Sequence, residues 1–183
     1  ALRQTQADLT SWTSHAVLLV DTSGSMKGSD VWGTRTRLGA VLVAIALDLI
    51  AFRIENGTGV PTDVVSLVTL DGLIVLREQP CTWMLYNQIV MMYTKKTLQP
   101  KGHGPFLPSL ERAEKLLFRN SNTSCAISLT FLSDGRPSDK FLAKGSHQAF
   151  DDDNCPIQAK VGEIAQKLGR RLSFRAIGIG DYD

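Results

Sequence analysis

The sequence lacks the features that mark several broad classes of protein. Only three cysteines stand in 183 residues, and none of them forms a C-x-x-C pair with the spacing of a metal site. The formal net charge is only +2, which gives no general attraction to nucleic acid. The longest apolar stretch, residues 38–52, is interrupted by Asp48 and is too short to span a bilayer. We therefore expect a single globular domain that neither binds nucleic acid nor inserts into a membrane.

The cysteines and the glycosylation sequons favour different compartments. Cys81, Cys125 and Cys155 cannot all pair with one another, and free buried thiols are the simpler interpretation, which slightly favours an intracellular protein. Two N-x-[ST] sequons, beginning at Asn56 and Asn122, argue instead for an extracellular one. The sequence leaves the compartment open.

Two apolar runs that each end in a carboxylate are the most informative feature. Residues 16–20 are continuously apolar, as in a buried parallel strand, and Asp21, Ser23 and Ser25 follow them. Residues 127–132, in which apolar residues are interrupted by Ser128 and Thr130, read as a second strand before Asp134. One D-x-S-x-S segment could be an ordinary Asx-turn, but two parallel strands bring both carboxylates to one edge of a sheet. Hard oxygen donors at that edge suit Mg²⁺.

The rest of the pattern alternates strands with helices, which predicts a doubly wound α/β fold. Asp71-Gly72 is a type I′ hairpin signal, so the strand after it is expected to be antiparallel. Residues 138–156 read as a long polar loop. The predicted strands are 16–20, 64–70, 73–78, 126–132 and 173–179. The predicted helices are 37–54 after a polar start at 34, 83–93, one that begins at Pro105 or Pro108 and runs to about 119, and 157–168.

Predicted burial of the first helix rests on its apolar spacing. Its apolar residues recur every three or four positions, and two more widen the stripe, so we expect the helix to be heavily buried. These residues are Leu38, Leu42, Ile45, Leu49 and Phe52, with Leu47 and Ile50 added.

These segments together resemble the von Willebrand factor type A (vWA) family. Residues 21–26, Asp-Thr-Ser-Gly-Ser-Met, match the first motif of its metal-ion-dependent adhesion site, and residues 133–135, Ser-Asp-Gly, match the third. Residues 176–181 look like its late-strand signature, and 63–70 resemble its second strand. The resemblance implies a Rossmann-like vWA domain over 16–183 after an N-terminal lead-in at 1–15. The mostly parallel sheet would have one antiparallel edge strand and helices on both faces, without the family's last helix and strand.

The resemblance also implies a partly degenerate site for Mg²⁺, or for Mn²⁺ or Ca²⁺. Ser23 and Ser25 would ligate through their hydroxyls, and Asp21 and Asp134 mostly through bound water. The family's remaining ligand is a threonine, but Gly104 stands at that position here, with His103 beside it as a weak candidate because imidazole suits Zn²⁺ better. We therefore expect weak binding of the cation.

The function implied by the resemblance is binding of protein rather than catalysis. An acidic Asp or Glu of a partner would complete the coordination of the cation, as in adhesion modules. The alternative is a metal-independent scaffold within an intracellular complex. A Mg²⁺-dependent phosphohydrolase is disfavoured because its general acid, a carboxylate two residues after the nucleophile, is replaced by Ser23. The phosphate loop G-x-x-x-x-G-K-[ST] and the G-x-S-x-G elbow are also absent.

Overall fold

A five-stranded sheet organises the residues described by this computed structural model, which are 11–119, 124–135 and 156–180. Its strands are β1 (Ser14–Val20), β2 (Asp63–Thr69), β3 (Ile74–Pro80), β4 (Ala126–Ser133) and β5 (Leu172–Gly178). Their spatial order is β3-β2-β1-β4-β5. The three pairings β1–β2, β1–β4 and β4–β5 are parallel, and β2–β3 is antiparallel. The predicted sheet, with β1 at its centre and one antiparallel edge strand, is confirmed.

Four helical segments cover the two faces of this sheet in the described residues. Helix α1 is continuous through α-helical Arg37–Ala44, π-helical Ile45–Ala51 and α-helical Phe52–Glu55. Helices α2 (Trp83–Lys95), α3 (Leu107–Leu117) and α4 (Pro156–Leu168) follow. None of the described helices is long and apolar enough to cross a membrane.

The helices form two hydrophobic layers because β1 is buried on both of its faces. Its residues 16, 18 and 20 pack with α1 and α2, whereas residues 17 and 19 pack with α3 and α4. Burial of every residue from 15 to 20 explains why residues 16–20 of β1 read as a continuous apolar run. The strand is therefore held rigidly, and the residue that follows it is placed with little freedom at the carboxyl edge of the sheet.

The first helix differs from its predicted burial. Leu38, Leu42, Ile45 and Ile50 are buried as expected, but Leu47 is 49% exposed and Phe52 is 60% exposed. The π-helical segment explains the difference, because i→i+5 bonding rotates later side chains away from the face that a 3.6-residue period predicts.

The turn between β2 and β3 is longer than the two-residue turn that the sequence predicts. The type I′ prediction was wrong, because that turn needs positive φ at both central residues and Asp71 is not among the described non-glycine residues with positive φ. Instead Gly72 donates to the Thr69 carbonyl at 2.8 Å and takes a φ of 84°. The loop therefore resembles the longer hairpins in which a turn is followed by a left-handed glycine.

Several predictions lie outside the described residues. They concern residues 1–10 of the lead-in, most of the polar loop at 138–156, Cys155 and the sequon residues Asn122 and Thr123. Within the described part, Cys81 has a free thiol, and both Cys81 and Cys125 are buried. Burial raises the pKa of the Cys81 thiol, which keeps it protonated and unreactive.

Candidate functional site

The candidate site begins at Asp21, the residue that follows β1. Its carboxylate is only 3% exposed. One oxygen, Oδ1, accepts a hydrogen bond from the Ser23 backbone N–H at 2.7 Å, and the other, Oδ2, accepts from the Ser133 hydroxyl at 2.5 Å. The Asx-turn that the sequence allows is therefore present, and it fixes the orientation of this carboxylate rather than replacing it as a ligand.

The two serines join Asp21 to the second carboxylate. The hydroxyl oxygens of Ser23 and Ser25 lie 3.0 Å apart, and Ser25 donates to Asp134 Oδ1 at 2.8 Å. Asp21 and Asp134 meet because β1 and β4 are parallel neighbours, with Val20 opposite Leu132. The four side chains that the sequence singles out therefore converge at the carboxyl edge of the sheet, where β1 and β4 both end.

A second loop borders this cluster and carries Gly104. A Cβ placed on Gly104 would lie 3.3 Å from Asp21 Oδ1 and 3.4 Å from the Cβ of Ser23. Backbone hydrogen bonds hold the loop there, from Gly24 N–H to the Gly102 carbonyl at 3.1 Å and from Lys101 N–H to the Thr22 carbonyl at 2.7 Å. Position 104 is thus adjacent to the cluster, as the sequence alignment expects, whereas His103 is exposed.

Arg37 belongs to the site, although the sequence analysis took it only as part of a helix start. Its Nη1 donates to Asp134 Oδ2 at 2.7 Å, and its Nε and Nη2 donate to the two oxygens of Asp30 at 2.7 and 2.5 Å. The Asp134 side chain is fully buried. The hydrogen bonds to Asp30 and then to Asp134 raise the pKa of Arg37, so its charge is permanent.

Two glycines make room for the ion pair of Arg37 with Asp30. A Cβ on Gly28 would lie 2.8 Å from Arg37 Nε, and one on Gly180 would lie 2.6 Å from the same atom. Both distances are shorter than a real contact permits, and Gly180 also has a φ of 92°. The late-strand glycine recognised in the sequence therefore serves the site, because its bare backbone packs directly on the guanidinium.

The donor set fits a hard divalent cation. It consists of two carboxylates and two hydroxyls, all of them hard oxygen donors. The described residues contain no group of three or more His, Cys, Asp or Glu that could hold a metal ion, so a cation here would depend on the two hydroxyls and on water as well as on the carboxylates. Three carboxylates, including Asp30, outnumber the single guanidinium, so an excess of negative charge remains. Asp21 has Ser23 rather than a carboxylate two residues on, which is the position expected for the general acid of a Mg²⁺-dependent phosphohydrolase.

Comparison with known proteins identifies the fold. No family model and no curated protein matches the chain. Among solved structures, it is similar to the SpRpn10 VWA domain, with 14% identity and a TM-score of 0.57 over 93% of this chain and 77% of that one. It is also similar to the manganese-loaded TRAP protein of Plasmodium vivax, with 19% identity and a TM-score of 0.58 over 94% of this chain and 59% of that one.

A third similar structure is the pilus adhesin SpaC of Lactobacillus rhamnosus GG, with 16% identity and a TM-score of 0.64. The match covers 91% of this chain but only 24% of the adhesin. At these identities the likenesses show the fold alone. The chain has the von Willebrand factor type A fold.

Proposed function

We propose that this domain binds a protein partner through the carboxyl edge of its sheet, with an Asp or Glu of the partner completing the coordination of a weakly held Mg²⁺ or Mn²⁺. The observation that carries the proposal is the hydrogen-bonded chain from Ser23 through Ser25 to Asp134 beside the buried Asp21. A divalent cation bound there would supply an open coordination position for the partner's carboxylate.

The roles of the protein's own groups follow from their contacts. Ser23 and Ser25 would ligate directly, since hydroxyl oxygens bind as neutral donors and Ser25 is exposed. Asp21 and Asp134 supply the negative charge, and both are held in place by hydrogen bonds that do not involve a ligand. Such preorganised groups lose little conformational entropy when they bind.

The fold neighbours support this proposal in a general way. One of them, the TRAP protein, is described as manganese-loaded, and another is a pilus adhesin. We infer that the same edge of the fold serves a binding role here, without catalysis.

A metal-independent scaffold is the second candidate function, and two observations favour it. The guanidinium of Arg37 already neutralises part of the charge on Asp134. Gly104 brings no hydroxyl where the resemblance expects a threonine. In this case the hydrogen-bonded cluster would be a rigid platform, and the partner would contact it without a cation.

Calorimetric titration with MgCl₂, MnCl₂ and CaCl₂ tests the proposal. We expect saturable binding by the wild-type protein and its loss in Asp21→Asn, which preserves the size of the side chain. Asp48→Asn is the matched control, because Asp48 is an exposed carboxylate on α1 outside the cluster. Circular dichroism would show that each variant is folded. Absence of binding in the wild type, or unchanged binding in Asp21→Asn, would favour the metal-independent scaffold.

A further inference from the structure

Trp32 is the most exposed large apolar side chain among the described residues. Its relative exposure is 100%, compared with 3% for Trp12 and 47% for Trp83. An isolated indole in full contact with water makes no contribution to the core, and tryptophan is the residue type most enriched among binding hot spots. Whether Trp32 could contact a partner of the candidate site therefore depends on where its loop is attached.

The segment that carries Trp32 is fastened to the candidate site. At its base, Arg37 N–H donates to the Gly28 carbonyl at 2.8 Å. Two residues before Trp32, Asp30 makes the two-point ion pair with Arg37, which in turn holds Asp134. Gly33 follows with a φ of 80°, which turns the chain beside the indole. Trp32 thus stands on a loop that is tethered, through Asp30 and Arg37, to a residue of the proposed cation site.

Among the described residues, the loops that border the cluster carry mainly basic exposed charges, whereas the cluster itself retains the negative charge of its carboxylates. In the two loops that border the site, residues 24–36 and 101–104, the exposed charged side chains are Lys27, Arg35, Lys101 and Asp30. The carboxylate of Asp30 is already paired with Arg37. A surface with an apolar anchor and unpaired cations is complementary to an acidic segment that also carries apolar side chains.

We propose that Trp32 is the apolar anchor of the docking surface and that the partner is an acidic protein segment with aliphatic side chains flanking its carboxylate. This inference rests on the proposed function, because the loop that carries the indole is held to Asp134, one of the proposed cation ligands, through Asp30 and Arg37. An anionic membrane is the less favoured occupant. It would bring many phosphates against a cluster that retains excess negative charge. A protein segment needs to bring only one carboxylate to the cluster, at the open coordination position of the cation.

A randomised peptide library displayed on phage is the probe for this inference. Panning on the wild-type protein in MgCl₂ is expected to enrich peptides that combine Asp or Glu with aliphatic residues. A selected peptide, labelled and titrated by fluorescence anisotropy, should bind Trp32→Ser about tenfold or more weakly, as for a hot-spot tryptophan. Calorimetric titration of Trp32→Ser with MgCl₂ should be unchanged. Trp83→Ser, which removes a half-exposed indole on α2, should bind the peptide like the wild type.

Each outcome separates this inference from the proposed function. If chelator abolishes peptide binding but Trp32→Ser has no effect, the cation-bridged function stands and the role of Trp32 is refuted. If Trp32→Ser weakens binding and chelator has no effect, the anchor stands and the cation bridge fails. Failure to enrich acidic sequences overturns the proposed partner. Sedimentation with phosphatidylserine vesicles that depends on Trp32 would also overturn it, in favour of a membrane.

Discussion

Replacing Gly104 with threonine is the sharpest test of the candidate site. Gly104 is buried, and an added Cβ would lie 3.3 Å from both Asp21 Oδ1 and Leu70 Cδ1. These contacts are tight, but neighbours need to shift by only a few tenths of an ångström. Gly104 is not among the described glycines with positive φ, so a side chain causes no strain in the backbone. Threonine can therefore be accommodated next to Asp21.

The expected gain in cation affinity comes from one additional hydroxyl donor. An interaction between a hydroxyl and a charged group contributes about 1.5–3 kcal/mol. Crowding against Leu70 and Asp21 offsets this by roughly 1 kcal/mol, at the low end of the cost of overpacking. The net gain is about 0.5–2 kcal/mol, which corresponds to roughly two- to thirtyfold tighter binding of Mg²⁺.

Gly104→Val is the matched control, because valine has the shape of threonine without its hydroxyl. Calorimetric titration with MgCl₂ and MnCl₂ should show tighter binding for Gly104→Thr than for the wild type, and no gain for Gly104→Val. Equal affinities for the two variants would show that the hydroxyl does not reach the cation. The alignment that places Gly104 at the threonine position would then be wrong, even if both variants fold normally.

Three further outcomes test the surroundings of the site. Arg37→Met should tighten Mg²⁺ binding in calorimetry, because it removes a competing positive charge, and should lower the melting temperature, because two carboxylates lose their partner. Gly180→Ala should lower the melting temperature because its Cβ would collide with the guanidinium, whereas Gly162→Ala, which meets open space, should not. Burial, and to a smaller extent the charge of Arg119, lower the pKa of His15 to about 4. The unfolded chain therefore binds more protons than the folded one between about pH 4 and 6.5, so stability should fall as the pH falls through this window, by at most about 1.4 kcal/mol per pH unit. Urea unfolding at several pH values would measure this dependence of the free energy of unfolding on pH. The His15→Gln variant, which lacks the titrating group, should show a weaker dependence.

The sheet was predictable because burial on both faces leaves a direct mark in sequence. β1 reads as a continuous apolar run, and β4 as a strand in which apolar residues alternate with Ser128 and Thr130 before they become continuous. In both, the change from apolar residues to a carboxylate marks the carboxyl end. The orientation of α1 was less predictable, since residues 45–51 are π-helical and the apolar spacing gives no sign of that bonding pattern. Leu47 and Phe52 were assigned to the core for that reason.

The site was predictable only as far as local motifs extend. Asp21, Ser23, Ser25 and Asp134 could be found because each lies immediately after a strand. Arg37 was missed because its partners come from separate loops, although one signal was available. It is the first residue of α1, where the helix dipole disfavours a cation, and a basic residue at that position calls for an acidic partner. His15 similarly gave no sign of its buried hydrogen bond to Ser66 at 2.9 Å.

The two proposed functions differ in what Arg37 does for Asp134. The guanidinium contacts Oδ2 and leaves Oδ1 directed at Ser25, so it fixes the carboxylate without covering the oxygen that faces the cluster. Holding Asp134 in place reduces the entropic cost of binding a cation, but the positive charge reduces the attraction for it. The attraction is electrostatic and weakens with salt, whereas the ordering does not. A cation affinity that changes little between Arg37→Met and wild type at high salt, but differs at low salt, would therefore identify charge as the main contribution of Arg37.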